Sequence, residues 1–256
     1  MVFNNIIIKN SKRSLRRSFF LLHIFLNLQR IKRRIMNKVK LLILTLFIVL
    51  TTNVNAQLGI GLKGGADFNS ITRSNAGRID ETYHGKKGLG YGLILRYQVN
   101  DWFAMRADVE MLSRSHSMKR NLNFVNEVYT DYKNNYLTLP VMADFTFGGS
   151  KLRGHFLMGG FVGYWLSSNR NGKTVDMSMD FPDFDEKLEF NQEHNRLAAG
   201  LVGGTGVSYD ISDNIALELD AVFYYDLTSY MKINELSVDP RYNNTLSLTL
   251  GVIYKL

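Results

Sequence analysis

The residues of this sequence that could do chemistry are ionisable side chains spaced two apart within apolar segments. Arg106, Asp108 and Glu110 follow one another in this way, and Glu218 and Asp220 repeat the spacing later. Residues two apart in an extended strand lie on the same face. If that face is buried, its charges must pair or stay hydrated, because an unpaired buried charge is very costly. The spacing therefore predicts ion pairing within a sheet.

A second group of carboxylates lies in the polar segment 168–195. It consists of Asp176, Asp180, Asp183, Asp185, Glu186, Glu189 and Glu193. Carboxylates are ligands that Ca²⁺ prefers. The candidate cation-binding loop comprises Asp180, Asp183, Asp185 and Glu186. Their spacing matches no loop template, so a solvated acidic loop is the favoured interpretation.

Catalytic and metal-site patterns are weak in this chain. Ser115-His116-Ser117 places a hydroxyl beside an imidazole, but adjacent residues of an extended chain point to opposite faces. No orienting acid or oxyanion donor can be identified for it. His84, His155 and His194 lack metal-ligand spacing, and the chain contains no Cys. We therefore expect neither an enzyme, a metal site nor a cofactor.

The elements that carry these side chains have a period of two. Apolar residues alternate with small or polar ones from Leu58 onward, which is typical of β-strands. The fifth stretch is apolar on both faces, so the pattern does not determine its facing. The predicted strands are 58–69, 88–99, 102–114, 134–147, 154–167, 196–209, 215–228 and 244–256.

The connections between these strands alternate in length. Those at 100–101, 148–153 and 210–214 are short, whereas those at 71–87, 115–133, 168–195 and 229–243 are long and polar. Outer-membrane barrels have short periplasmic turns and longer extracellular loops. Aromatic residues also gather near the strand ends, as in the girdles of such barrels. The strands are long enough for a tilted membrane crossing, which takes about 9 to 11 residues.

A soluble barrel of the lipocalin kind would show the same period, so the choice depends on the connections, girdles and strand lengths. Backbone groups in lipid must all be paired, so a spanning sheet has to close. The predicted fold is all-β: an eight-stranded antiparallel transmembrane β-barrel, an up-and-down meander, preceded by a cleaved signal peptide.

The charged faces of these strands would line the lumen. The predicted lumen network comprises Lys63, Asp67, Arg96, Arg106, Asp108, Glu110, Arg114, Asp144, Glu218, Asp220, Asp226 and Lys255. The interior of an eight-stranded barrel is just wide enough for side chains to fill. We expect a salt-bridge network that plugs the barrel, with a narrow gated path for ions or water as the alternative. One network of Arg96, Arg106, Asp108 and Glu110 is predicted to close the periplasmic side.

The N-terminal region differs in composition from the rest. Residues 1–57 carry eleven Lys or Arg and no acid, so the net charge of +8 comes from this region. That removes the basis for a nucleic-acid partner, which needs a basic folded surface. Residues 36–56 have the parts of a signal peptide, with cleavage expected after Ala56. Residues 1–35 are interpreted as upstream sequence or an unusual leader, and residues 57–256 as the barrel domain.

Three segments carry a family resemblance. LGIGLKGGADFNS (58–70), NNYLTLPVMADFTFG (134–148) and NTLSLTLGVIYKL (244–256) resemble the PorT-type outer-membrane β-barrel family of Bacteroidetes. The signal peptide ending in Ala-Gln fits the same family. The resemblance covers essentially the whole mature chain. It implies the outer membrane of a Gram-negative cell and a secretion link, because the name-giving member takes part in a protein secretion system.

The expected function is a structural or interaction role, in which long loops or periplasmic turns bind a protein partner or a surface glycan. The alternative is a minimal gated channel for ions or water. The expected partners are outer-membrane lipid, the barrel-assembly machinery during insertion and an unidentified protein.

Overall fold

The computed structural model describes residues 57–73, 81–121, 126–176, 183–232 and 240–256. The predicted leader (1–35) and signal peptide (36–56) lie outside the described residues. No helix among the described residues is long and apolar enough to cross a membrane.

The described residues form one 11-stranded sheet. Its strands are β1 (Gln57–Arg73), β2 (Glu81–Gly85), β3 (Lys87–Asn100), β4 (Phe103–Ser113), β5 (His116–Asn121), β6 (Asn126–Gly148), β7 (Leu152–Asp176), β8 (Phe184–Lys187), β9 (Leu197–Asp210), β10 (Ile215–Asp226) and β11 (Arg241–Lys255).

The eight long strands close into a barrel. They pair antiparallel in the order β1-β3-β4-β6-β7-β9-β10-β11, and β11 pairs back with β1. Closure leaves the barrel without an unpaired edge, so its backbone groups can be satisfied within the sheet. The predicted all-β fold and eight-stranded up-and-down meander are confirmed.

The alternation of the sequence sets which side chains face the lumen. Arg106 and Glu110 of β4 are buried, whereas Val109 between them is 45% exposed. Outward-facing residues are large and apolar, as Leu89 at 78% and Leu219 at 56% exposed illustrate. The barrel therefore has an apolar exterior and a lumen that contains the charges.

The facing of β7, which the sequence leaves undetermined, is clear in the structure. His155, Leu157 and Phe161 are buried in the lumen. Phe156 and Met158 point outward and are about half exposed. The β7 strand is apolar on both faces because its lumen side contributes to an internal apolar cluster.

The long connections are more ordered than the sequence suggests. The predicted loops 71–87, 115–133 and 168–195 contain β2, β5 and β8, and β6 and β7 run well beyond their predicted ends. These strands pair in the order β2-β5-β6-β7-β8 and continue one wall of the barrel past its rim. The loop prediction is wrong there because these strands carry polar residues on both faces, so no alternation marks them.

The β6–β7 turn depends on a glycine. Gly148 has φ +125°, and it is the one residue with positive φ within the described ranges. Residues with a Cβ rarely adopt this backbone conformation, whereas glycine does so without a steric penalty. The turn can therefore be short, with the Gly149 N–H donating to the Leu152 carbonyl at 3.1 Å.

Candidate functional site

Arg106 lies at the centre of the charged lumen. Its Nε is 3.0 Å from Asp108 Oδ1, its Nη1 is 3.3 Å from Glu218 Oε2, and its Nη2 is 2.9 Å from Asp220 Oδ2. All four side chains are buried. A guanidinium carries five N–H donors in a planar fork, so one arginine can serve several carboxylates. Arg106 thereby links β4 to β10 across the interior.

Lys63 of β1 extends this network. Its Nζ is 2.7 Å from Asp108 Oδ2 and 2.6 Å from Glu110 Oε2. Glu110 also accepts a hydrogen bond from the Tyr224 hydroxyl. The carboxylates of β4 are therefore compensated by cations from β1 and from β4 itself.

Arg96 joins the network from β3. It forms ion pairs with Asp144 and with Glu218, and its Nη2 donates to Thr146 Oγ1 at 3.3 Å. Arg96 stands directly opposite Arg106 in the β3–β4 ladder. Like charges in opposite positions repel, so the two guanidiniums reach acceptors on other strands.

The structure brings the four residues predicted to form one network into a single cluster, but by different links. Arg96 contacts neither Asp108 nor Glu110 directly; it reaches Arg106 through their shared partner Glu218. The connection to Glu110 runs through Lys63. Arg106 pairs with Asp108 directly, with its Nε 3.0 Å from Asp108 Oδ1. Partners across a barrel depend on register and curvature, which spacing along one hairpin does not give.

His155 is a lumen residue that the predicted network omits. Its Nε2 is 2.8 Å from Asp220 Oδ1, and its side chain is buried. A Cβ at Gly206 would come within 2.5 Å of His155 Nε2, so glycine leaves the space that this pair occupies. Once the facing of β7 is known, the period-two alternation of this strand predicts that His155 points into the lumen.

The donor atoms of His155, Glu218 and Asp220 lie within 4.8 Å of one another. This is the one group of three metal-ligating side chains among the described residues. Arg106 contacts both carboxylates of the group. A guanidinium therefore already supplies the positive charge that a metal ion would bring.

Arg114 forms a separate ion pair further along the lumen. Its Nη1 is 2.7 Å from Asp226 Oδ1 and 2.8 Å from Oδ2. The guanidinium lies over the rings of Tyr136 and Phe161, at 4.8 and 5.1 Å from the centroids. Cation–π contacts of this kind strengthen when they are desolvated. The pair therefore joins the charged part of the lumen to an aromatic part.

Asp67 and Lys255 have different surroundings from those predicted. Asp67 accepts hydrogen bonds from the Ser113 backbone N–H at 2.8 Å and from Ser247 Oγ at 2.7 Å. Lys255 pairs with Asp210 at 2.7 Å, at the short-turn end, where Arg153 pairs with the same carboxylate. Lys255 thus belongs to the rim, because it lies at the very end of β11.

The lumen also contains an apolar cluster. Its buried members are Leu112, Tyr136, Met142, Leu157, Phe161, Trp165, Ala198, Val202, Val222, Tyr224 and Tyr230. The expectation of polar lumen faces is therefore incomplete. The inward face of β7 is mostly apolar, and it packs against the inward residues of β6, β9 and β10.

The acidic loop shows no convergence of carboxylates among its described residues. Asp183, Asp185 and Glu186 are exposed, and Glu186 pairs with Arg170 at 2.8 Å. Asp180 lies outside the described residues. The described carboxylates of this loop therefore present solvated side chains.

Ser115 and His116 do not form a catalytic pair. Ser115 Oγ lies 3.0 Å from Ser113 Oγ, whereas the His116 ring stacks on Tyr132 with centroids 4.8 Å apart. The hydroxyl and the imidazole have separate partners, and Ser115 lies between β4 and β5.

A cleft opens at the long-connection end, above the apolar cluster, and we call it the mouth cleft. It has a volume of about 680 Å³. That is within the range of small-molecule sites. Its walls come from β2, β5, β6 and β7 and from the segments around β8 and β11. The cleft is lined by Tyr83, His116, Met118, Tyr132, Asn134, Trp165, Arg170, Glu186, Lys187, Leu188, Glu189, Asn191, His194, Tyr230, Met231 and Arg241.

The charges in the mouth cleft are balanced by local ion pairs. Arg241 Nη2 lies 3.4 Å from Glu81 Oε2, and its guanidinium is 5.3 Å from the Tyr83 ring centroid. Burial, together with the nearby Arg241, lowers the pKa of His116 to about 3. His116 belongs to β5, outside the barrel strands, and its imidazole is neutral at physiological pH.

Comparison with known proteins gives a family and several structural neighbours. The family model described as outer membrane protein beta-barrel domain matches residues 52–232. Among curated proteins, none matches the chain. The family match supports the outer-membrane barrel part of the predicted resemblance, and the PorT-type assignment stays a prediction.

Solved structures that resemble this chain include two outer membrane proteins and a surface protein. A major outer membrane protein from Thermus thermophilus has 12% identity and TM-score 0.44, covering 79% of this chain and 100% of that one. OprG from Pseudomonas aeruginosa has 13% identity and TM-score 0.42, with 77% and 95% covered. Neisserial surface protein A has 16% identity and TM-score 0.37, with 77% and 97% covered.

Proposed function

Because the chain belongs to the outer membrane protein β-barrel domain family and is located in the outer membrane, we propose that it is a closed barrel with an interaction role. Its lumen is plugged, and its extracellular end binds a partner. The long-connection end is assigned to the cell exterior because barrels of this kind have short periplasmic turns and longer outer loops.

The observation that carries this proposal is that ion pairs cross the lumen from wall to wall. Arg96 of β3 reaches Glu218 of β10, and Arg106 of β4 reaches Asp220 of β10. A permeating ion would have to displace these buried partners. Breaking a buried pair leaves an uncompensated charge, at a cost of about 3 to 5 kcal/mol. The apolar cluster above the charges adds a second layer that excludes water.

The interaction role is supported by the difference in exposed surface between the two ends of the barrel. The short turns at 101–102, 149–151 and 211–214 leave little surface at the periplasmic end. The opposite end carries the β2-β5-β6-β7-β8 wall and the mouth cleft. A secretion-linked protein partner, as the PorT resemblance implies, and a surface glycan are both partners that this end could engage.

The alternative function, a minimal gated channel, is favoured by one observation. Several buried polar atoms of the lumen have no hydrogen-bond partner within the described part of the chain, among them His155 Nδ1, Thr138 Oγ1 and Arg114 Nη2. Buried polar groups of this kind are usually satisfied by ordered water. A chain of such waters would be the start of a path.

Single-channel conductance of the purified, refolded protein in planar bilayers tests the proposal. We expect no conductance from the wild type and discrete openings from Arg106→Ala, which removes the central cation. Arg170→Ala, at an exposed pair outside the lumen, is the matched control and should stay silent. Stepwise ion-selective currents from the wild type would instead establish the channel.

A further inference from the structure

We propose that the mouth cleft binds a neutral oligosaccharide. This inference rests on the proposed interaction role and specifies its ligand class. The cleft has a volume of about 680 Å³ and lies at the long-connection end of the barrel.

The first support is the arrangement of aromatic rings. His116 and Tyr132 stack nearly parallel, at an interplanar angle of 15°. Trp165 makes edge contacts with His194 at 5.6 Å and with Tyr230 at 6.0 Å. The aromatic rings that line the cleft thus lie in more than one plane. Sugar rings present C–H groups on their faces, which pack on the negative face of an aromatic ring.

The second support is a pair of buried polar atoms in the cleft lining that have no partner among the described residues. They are Nδ1 of His116 and Oδ1 of Asn134, on side chains whose residues are 3% and 2% exposed. Leaving such a buried atom unpaired destabilises the fold, so a partner for it is favoured. A sugar hydroxyl can both donate and accept, so it can satisfy a neutral imidazole and an amide oxygen alike.

The third support is the charge of the cleft, which favours a neutral ligand. Its two arginines are already paired, Arg170 with Glu186 at 2.8 Å and Arg241 with Glu81. An anionic ligand would have to compete with these carboxylates. A hydroxyl-rich neutral ligand can instead hydrogen-bond to the paired groups and leave both ion pairs intact.

The test uses Trp165 as a reporter. The chain has two tryptophans, and Trp102 lies 59% exposed at the periplasmic turn. In a Trp102→Phe background, the emission comes from Trp165 alone. The refolded protein, in a detergent without a sugar headgroup, is titrated with maltotetraose, chitotetraose and mannotetraose, and in parallel with a sulfated tetrasaccharide. We expect a saturable emission change with at least one neutral sugar.

Two tyrosines of β6 provide a matched pair of variants. Tyr132→Ala removes a ring that lines the cleft and should weaken binding about tenfold, which corresponds to the value of one aromatic contact. Tyr129 lines a different depression, with Lys119 and Asp131. Tyr129→Ala should therefore bind within about twofold of the parent protein. Tyr132→Phe keeps the ring and should bind nearly as well, which separates loss of contact from misfolding.

Three results would overturn the saccharide proposal. They are no saturable response to any neutral sugar, equal effects of the two alanine variants, and tighter binding of the sulfated than of the neutral sugars. None of them depends on conductance. If the barrel neither conducts ions nor binds sugar, the proposed interaction role is retained and the saccharide is excluded as its ligand. If the barrel conducts ions, the interaction role itself is overturned.

Discussion

Glu218 accepts from two arginines that the β3–β4 ladder places opposite each other. Without it, Arg96 and Arg106 would stand opposite each other in the ladder and would lose the one carboxylate that they share. The sequence predicts that these arginines and the carboxylates of β4 share the lumen. It does not predict Glu218 as the link, because a partner that lies three strands from β3 and four from β4 depends on barrel closure and register.

Among the carboxylates of β4, Asp108 is the one whose removal should destabilise the barrel most. It pairs with both Lys63 and Arg106, which keep other partners in Glu110 and in Glu218. We expect Asp108→Ala to destabilise the barrel by about 3 kcal/mol, the lower end for a broken buried pair. Urea-dependent refolding into bilayers measures this change.

The matched control for Asp108→Ala is Glu186→Ala, which removes the acid of an exposed pair. An exposed pair is worth about 0 to 1 kcal/mol. If both substitutions fall in that range, the lumen charges are solvated, and the plug is absent.

His116 should make folding stability depend on pH. Its pKa is about 3 in the folded protein, below the ordinary value of 6.5, because the buried ring is disfavoured as a cation. The unfolded chain therefore takes up this proton first as the pH falls. The contribution of His116 to the free energy of unfolding is therefore fully present above pH 6.5, and it is lost progressively as the pH falls toward 3. His116→Gln should flatten that part of the stability profile.

The comparison for the pH profile is His84→Gln, whose side chain is exposed on β2. Refolding midpoints measured between pH 7 and pH 4 should fall in parallel for this variant and the wild type. A His116→Gln profile as steep as theirs would contradict the assignment of the buried neutral imidazole.

At the scale of elements, β10 and the turn before it allow a lipid-facing position to be compared with a solvent-exposed one. Leu219 is 56% exposed on the outer face, in the middle of a strand. Leu219→Arg should cost about 2 to 4 kcal/mol, the cost of a cation at the bilayer midplane. Asp213→Arg, in the short turn before β10, should cost almost nothing. Equal losses in bilayer refolding would mean that the outer face does not contact lipid.

The β6–β7 turn allows a prediction about backbone conformation. Gly148 has φ +125°, whereas a Cβ at Gly149 would meet its nearest atom at an ordinary 3.7 Å. Gly148→Ala should therefore cost about 1 to 3 kcal/mol, and Gly149→Ala much less. Urea refolding of the two variants distinguishes them, and a similar loss in both would show that the positive φ is not required.

The same scale shows where sequence reasoning fails. The eight barrel strands follow from alternation, because one face meets lipid and the other does not. The strands β2, β5 and β8 are missed because both of their faces carry polar residues, so residues such as Thr82, Ser117 and Asp185 give no periodic signal. Their pairing is determined by the neighbouring strands β5, β6 and β7.

At the scale of the whole molecule, the period of two and the alternating connections suffice to predict a closed membrane barrel. They do not predict how its interior is divided. The charged network and the apolar cluster of Leu157, Phe161 and Trp165 share one lumen. Only the barrel's curvature brings the inward faces of β6, β7 and β10 together on one side.

The unequal strand lengths of the barrel have a consequence for the cell surface. β6 and β7 have 23 and 25 residues, whereas a tilted crossing needs about 9 to 11. At roughly 3.3 Å per residue, the excess gives about 40 Å of strand. This one wall therefore stands clear of the lipid headgroups, while the short turns end close to the other surface. On an intact bacterium, the outer part of β6 and β7 would therefore be within reach of an antibody or a bacteriophage, whereas the short turn that joins the two strands would not.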